Sequence, residues 1–128
     1  MPNVQVPRYF PGKEFETEKD GVCPINRVAF TNAVANNILV ATAVTGKIIM
    51  PVSLSVFSNA ATSSKCAFRS GSGSTIIHYL NAPPIAERSL LYEFNPAGWM
   101  RTAAGVGLYV DFIDQITYLS VEWVEYTP

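Results

Sequence analysis

The stretch that decides the fold is KIIMPVSLSVF, residues 47–57. Apolar residues occupy every second position, while the alternate positions mix apolar and polar side chains. The first set is Ile48, Met50, Val52, Leu54 and Val56, and the second is Ile49, Pro51, Ser53, Ser55 and Phe57. A period of two predicts a half-buried β-strand whose apolar face needs a second layer to cover it. Proline cannot donate to a strand ladder, so Pro51 predicts an edge position, a bulge, or a nitrogen that faces away from the neighbouring strand.

The composition around this strand favours one all-β domain. The chain has 128 residues, of which 48% are hydrophobic and only 15% charged, with nine prolines and eight glycines. This balance suits short strands and tight turns better than long helices stabilised by charge pairs.

Charge and hydropathy argue against two classes of partner. The net charge is -1 and the lysines and arginines are scattered, whereas a nucleic-acid surface normally carries a basic excess. No apolar run approaches the ~18 residues that a membrane-spanning helix needs, and the start lacks a basic region followed by an apolar one. We therefore expect neither nucleic acid nor membrane as a partner.

Residues 1–36 are interpreted as an extended N-terminal arm. Prolines stand at positions 2, 7, 11 and 24, and no periodicity lasts more than a few residues near the start. Between residues 28 and 43 an i, i+4 stripe of Phe30, Val34 and Ile38 fits a helix, whereas NILVATAV fits a short buried strand, which we favour from residue 37. The arm is richer in apolar residues than disordered tails usually are, so we expect it to become ordered on its own domain or on a neighbouring protein, and we favour a partner surface. The residues expected to do so are Val4, Val6, Tyr9, Phe10 and Phe15.

Residues 37–128 are expected to form a jelly-roll-like antiparallel β-sandwich. Further strands are predicted at 65–69 and 75–80, joined by the turn SGSGS, and at 89–94. Two alternating runs near the C-terminus, 106–112 and 119–123, are predicted to pair as a hairpin. The total of seven or eight short strands without a long helix is the pattern of a sandwich or jelly roll.

The sequence offers little catalytic or metal-binding chemistry. The single histidine, His78, lies in the apolar run TIIHYL and is interpreted as a packed or rim residue rather than a general base. The two cysteines, Cys23 and Cys66, lack a metal-binding spacing and are either free thiols, which we favour, or one bridge. We predict no catalytic, cofactor-binding or metal-ligating residues.

The aromatic residues leave one alternative open. Tyr79, Tyr92, Trp99, Tyr109 and Trp123 are interpreted mainly as core and rim, although a sugar-stacking platform could be built from the same residue types. The turn NPAG, residues 95–98, has proline and glycine where a type I turn favours them. We assign structural roles to Pro96, Gly98, Trp99 and Trp123, and expect Trp99 to be mostly buried against the 47–57 strand.

Two segments resemble a pattern found in small β-sandwich proteins of tailed bacteriophages. In that pattern a strand, a Gly-Lys turn and an alternating strand precede a polar hairpin and the motif N-P-x-G-W-x-x-T-x-x-G-x-x-L. Here the matching segments are 38–57 and 95–110. The motif residues are Asn95, Pro96, Gly98, Trp99, Thr102, Gly105 and Leu108. The resemblance extends from Asn37 to the C-terminus and leaves the arm uncovered.

The resemblance implies a virion structural protein without catalytic residues or cofactors. The chain is most similar to capsid decoration, or cement, proteins, which implies a homotrimer on the capsid surface that clamps the major capsid protein. The alternative is a receptor- or carbohydrate-binding domain of a head or tail fibre. A fibre tip would more often begin with a coiled coil or a repeat, and neither is present in this sequence.

Overall fold

A computed structural model describes residues 25–58, 64–82 and 88–128. These residues form a β-sandwich of two four-stranded antiparallel sheets, which confirms the predicted fold class. The strands are β1 (Asn26–Ala33), β2 (Ile38–Ala41), β3 (Ile48–Ser58), β4 (Ser64–Ser70), β5 (Thr75–Ala82), β6 (Arg88–Tyr92), β7 (Leu108–Phe112) and β8 (Ile116–Tyr126).

The strand order has the nested pairing of a jelly roll. The first sheet, sheet A, has the order β1-β8-β3-β6, and the second, sheet B, has the order β2-β7-β4-β5. The first strand thus pairs with the last, the second with the seventh, the third with the sixth and the fourth with the fifth. One long antiparallel hairpin rolled into two layers produces this arrangement, and the turn SGSGS lies at its tip between β4 and β5.

A bulge divides the apolar positions of β3 between two clusters. The register against β8 shifts between Pro51 and Ser53, so Val52 is the extra residue. Leu54 and Val56 join the main core between the sheets, whereas Met50 and Val52 join a separate cluster with Val124 and Tyr126. The bulge, one of the alternatives predicted from the proline, is therefore present. The alternating residues do not share one face, because a one-residue insertion exchanges the two faces.

The main core fills the space between the sheets with fully buried apolar side chains from both layers. The largest of them include Phe68, Leu80, Leu108, Phe112, Ile116 and Leu119. Phe30 from β1 packs its ring against that of Phe112 with centroids 5.6 Å apart.

Two strand assignments differ from those made on the sequence. β1 pairs with β8 along its length, so residues 26–33 belong to the sandwich although the arm was expected to extend to residue 36. The predicted C-terminal hairpin is wrong, because β7 pairs with β2 and β4 in sheet B while β8 pairs with β1 and β3 in sheet A. Alternation along a strand shows which face is buried, but it does not identify the neighbouring strand.

Candidate functional site

Residues 95–105, which carry most of the N-P-x-G-W-x-x-T-x-x-G-x-x-L motif, form a strap along the first half of β3. β6 pairs only with Leu54–Ser58 of β3, which leaves the earlier carbonyl groups of that edge without a strand neighbour. Backbone N–H groups of the strap supply them with donors. The bonds run from Asn95 to Val52, Trp99 to Pro51, Thr102 to Ile49 and Gly105 to Lys47, at 2.8–3.0 Å. The strap thus caps an edge that would otherwise be open.

The strap begins with the predicted turn at residues 95–98. The Gly98 N–H donates to the carbonyl of Asn95 at 2.8 Å, and the Asn95 side chain accepts from the Ala97 N–H at 3.0 Å. Gly98 has a φ of 82°, which an L side chain rarely adopts. Asparagine, proline and glycine here are therefore residues that shape the turn.

Thr102 fixes the far end of the strap. Its side chain is buried, and its hydroxyl accepts from the Ile49 N–H at 3.1 Å while donating to the Ala103 carbonyl at 3.0 Å. Arg101 beside it lies over the Tyr126 ring and donates to the Tyr126 hydroxyl at 2.8 Å. The strap is consequently held by side chains as well as by backbone.

Trp99 does not lie where the sequence analysis placed it. Its backbone bonds to β3, but its side chain is 40% exposed, so the expectation that it is mostly buried is wrong. The indole N–H donates to the Glu93 carbonyl at 2.8 Å, and the ring meets Tyr92 edge to face with centroids 4.9 Å apart. The turn holds this indole at the rim of the sandwich in a fixed orientation.

Tyr92 continues this aromatic contact to the other sheet. Its hydroxyl lies 3.0 Å from His78 Nε2, and the two rings meet edge to face. His78 is half-buried on β5, and burial lowers its pKa. Trp99 is therefore supported by a chain of two side chains that bridges the layers.

Two adjoining hollows on the outside of sheet A form the candidate site, which we call the outer cleft. The first has a volume of about 470 Å³ and is lined by Leu91, Glu93, Phe94, Asn95, Pro96 and Trp99. The second has a volume of about 330 Å³ and is lined by Arg27, Ser53, Leu54, Ser55, Leu91, Ser120 and Glu122. Leu91 is 62% exposed and Phe94 48%, so the first hollow presents apolar surface to solvent.

The second hollow is polar and internally hydrogen-bonded. The Ser53 hydroxyl donates to Glu122 Oε1 at 2.5 Å. Arg27 donates from Nε to the Ser120 hydroxyl at 3.2 Å and from Nη2 to the Tyr118 hydroxyl at 2.9 Å. The two hollows meet at Leu91, which lines both of them.

The outer surface of sheet B carries an ion pair. Asp111 is buried, and its Oδ2 accepts from Arg69 Nε at 2.7 Å while its Oδ1 accepts from the Asn37 N–H at 2.7 Å. Burial alone would raise the Asp111 pKa, but the Arg69 hydrogen bond, the Asn37 bond and the arginine charge together lower it. This pair ties β7 to β4 and to the start of β2.

Two further residues of the sequence analysis lie in the core. Cys66 is a free thiol, and burial raises its pKa to about 12, so it is protonated at neutral pH. Trp123 is 8% exposed, and among the described residues its indole N–H has no hydrogen-bond partner. Trp123 therefore contributes packing. Cys23 lies outside the described residues.

The arm residues Val4, Val6, Tyr9, Phe10 and Phe15 also lie outside the described residues. Within residues 25–58, 64–82 and 88–128, no group of three or more His, Cys, Asp or Glu side chains could hold a metal ion. The same part of the chain contains no helix long and apolar enough to cross a membrane.

Comparisons with protein-family models, curated proteins and solved structures find no match to this chain.

Trp99 is the one residue of the outer cleft that was singled out from the sequence for a structural role or a sugar-stacking role, apart from Pro96 of the turn. Leu90 and Leu91 are consecutive in β6, so the period of two requires one of them to face outwards, and this was the available signal for Leu91. Arg27 and Glu122 face each other across β1 and β8 only because of the long-range register. No local pattern identifies such a pair.

Proposed function

We propose that this chain is a bacteriophage virion structural protein, a capsid decoration protein that binds the capsid surface as an oligomer and stabilises the shell. Its partners are the major capsid protein and other copies of itself, most simply in a homotrimer. It acts by binding and carries no catalytic activity. Its location is the outside of the virion.

The observation that carries the proposal is the position of the phage-like motif in the fold. Asn95, Gly98, Thr102 and Gly105 build the strap that caps β3, and Leu108 is fully buried in the core. These five of the seven motif residues thus have roles in the sandwich itself. A motif made of such residues supports kinship with phage sandwich proteins at the level of the whole domain, and not a shared catalytic site.

Exposed apolar residues at one end of the sandwich support self-association. Val34 follows β1, and Ile113 lies between β7 and β8. Both are largely exposed, and they flank the backbone bond from the Phe112 N–H to the Ala35 carbonyl. Two large apolar side chains at one end suit a contact between copies around a symmetry axis.

The arm is proposed as the main attachment to the capsid. Ile25 immediately precedes β1, an outer strand of sheet A, so the arm joins the body at a sheet edge. Val4, Val6, Tyr9 and Phe10 stand in a proline-punctuated segment. Proline restricts the free chain, and an extended segment of this kind docks with less ordering cost than a glycine-rich tail.

Copy number on the particle tests the proposal. Purified virions of the phage that encodes this chain would be analysed by quantitative mass spectrometry, with the major capsid protein as the internal standard. Hundreds of copies in a fixed ratio to the capsid subunit are expected. A handful of copies would favour the fibre alternative, and absence from the particle would overturn the proposal.

A further inference from the structure

The outer cleft combines a rigid exposed aromatic ring with hydrogen-bonding groups that remain available. We propose that it binds a neutral oligosaccharide, with one sugar ring stacked on Trp99 and the following rings extending past Leu91 towards Arg27 and Glu122. This inference does not depend on the capsid role. It assigns a ligand to a surface that does not include the exposed apolar residues Val34 and Ile113.

Trp99 is held in place before any ligand binds. Its indole N–H is already bonded to the Glu93 carbonyl, so a ligand need not satisfy it. Tyr92 contacts the ring from the side and is itself held by His78, so little side-chain freedom remains to be lost on binding. A fixed indole with 40% of its surface exposed suits the C–H face of a sugar ring.

The polar groups of the second hollow also suit a sugar ligand. Among the described residues, the hydrogen bonds of this surface occupy Oε1 of Glu122 and leave Oε2 for a ligand. Arg27 uses one N–H on Nε and one on Nη2, and a guanidinium carries five such donors. Acceptors and donors in the hollow that adjoins the one holding the aromatic face match sugar hydroxyls, which both donate and accept.

The charge of the cleft favours a neutral ligand over an anionic one. Glu93 and Glu122 contribute two carboxylates against the single guanidinium of Arg27. An anionic ligand would meet an excess of like charge, which disfavours phosphate, sulfate and acidic sugars. The ligand class is therefore a neutral sugar, and two adjoining hollows suit several rings better than one.

A second copy of this chain is a less suitable occupant. A protein partner covering the whole cleft would bury Arg27, Glu93 and Glu122 together. Burying charges is costly unless each gains a partner of good geometry. Sugar hydroxyls supply such partners one by one while leaving part of the cleft in contact with water.

The test uses the full-length chain on an array of neutral and acidic oligosaccharides, followed by calorimetric titration of the best neutral binder. We expect at least one neutral oligosaccharide to bind, with an affinity that changes little between about 50 mM and about 500 mM salt. Trp99→Ala should weaken binding by at least about tenfold. Glu122→Gln, which removes a charge without removing the side chain, should also weaken it.

Tyr79→Ala provides the matched control. Tyr79 is 62% exposed on β5 of the opposite sheet, so its removal tests whether any exposed aromatic residue gives the effect. It should leave the affinity unchanged, and circular dichroism should show that every variant is folded.

If no neutral oligosaccharide binds, or if Trp99→Ala and Glu122→Gln both bind like the parent, the proposal is overturned. A cleft variant that instead abolishes self-association in light scattering would identify an interface between copies and also overturn it. The copy number on virions, which tests the proposed decoration function, is measured separately and does not depend on any of these outcomes.

Discussion

Gly98 lies directly against the Met50 side chain. A Cβ atom placed on Gly98 would stand 2.3 Å from Met50 Cγ and 2.5 Å from its Sδ. Met50 is fully buried in the cluster that the bulge creates on the outer side of sheet A. This side-chain contact therefore adds to the backbone bonds that join the strap to β3.

Gly98→Ala should destabilise the protein by more than its unfavourable φ alone accounts for. Positive φ in a non-glycine residue costs about 1–3 kcal/mol, and overpacking against Met50 should add about 1–3 kcal/mol more. Gly46→Ala is the control, because Gly46 has a φ of 74° but no atom within 4 Å of the added Cβ. Urea unfolding measures both. Equal losses in the two variants would show that the strap does not press on Met50.

The two tryptophans should differ in their contributions to stability. Trp123→Ala removes a buried core side chain and should cost about 3–5 kcal/mol. Trp99→Ala removes an exposed ring with one aromatic contact and one hydrogen bond, so it should cost about 1–2 kcal/mol. Thermal and urea unfolding of both variants would compare them. A larger loss at Trp99 than at Trp123 would contradict the positions described here.

The Asp111–Arg69 pair should make stability depend on acid pH. A carboxyl whose pKa is lower in the folded state stabilises the fold above its unfolded pKa, near 3.8, and this contribution is lost as the pH falls through the folded value. Asp111→Asn should therefore cost about 1.5–3 kcal/mol at neutral pH. The difference in the free energy of unfolding between this variant and the parent should shrink below pH 3.8.

Arg69→Met supplies the partner control for that pair. The guanidinium bonds Asp111 at 2.7 Å and lowers its pKa. Without it, the pKa of Asp111 in the folded state should rise towards its ordinary value. Urea unfolding of both variants across the acid range would show this as a weaker pH dependence. A difference between Asp111→Asn and the parent that stays constant from neutral to acid pH would contradict the assignment.

Cys66 should be unreactive in the folded protein. The reactive species is the thiolate, and a buried thiol with a pKa of about 12 forms very little of it near neutral pH. In a Cys23→Ser variant, a thiol reagent such as DTNB should modify Cys66 only after guanidinium unfolds the chain. Rapid modification of the native variant would contradict the burial of this residue.

The architecture was predictable because its signals are local. Alternation from Thr75 to Leu80 and the glycine-rich turn before it are sufficient for the β4–β5 hairpin, and Pro51 marks the bulge. Which strands pair with each other was not predictable, because β7 and β8 alternate in the same way although they lie in different sheets. The outcome depends on contacts distant in sequence, which a single strand does not encode.

The candidate site also combines features with a local sequence signal and features that depend on contacts distant in sequence. The NPAG turn and its glycine were visible in the sequence, but the direction in which the turn points Trp99 depends on the bonds from the strap to Pro51 and Ile49. Arg27 and Glu122 come together through the β1–β8 register, far apart in the chain. Exposed residues also carry no periodic signature, since a solvent face accepts most residue types.

The central claim is that this chain attaches to a capsid surface through its N-terminal arm. The direct measurement is the binding of the full-length chain, and of a version lacking residues 1–12, to purified capsids devoid of it. We expect the full-length chain to saturate the capsid at many copies per particle. The truncated chain should remain folded by circular dichroism and bind at least about tenfold more weakly, a loss of about 1.4 kcal/mol or more. Equal binding by both would contradict the role of the arm, and failure of the full-length chain to bind capsids would contradict the decoration function itself.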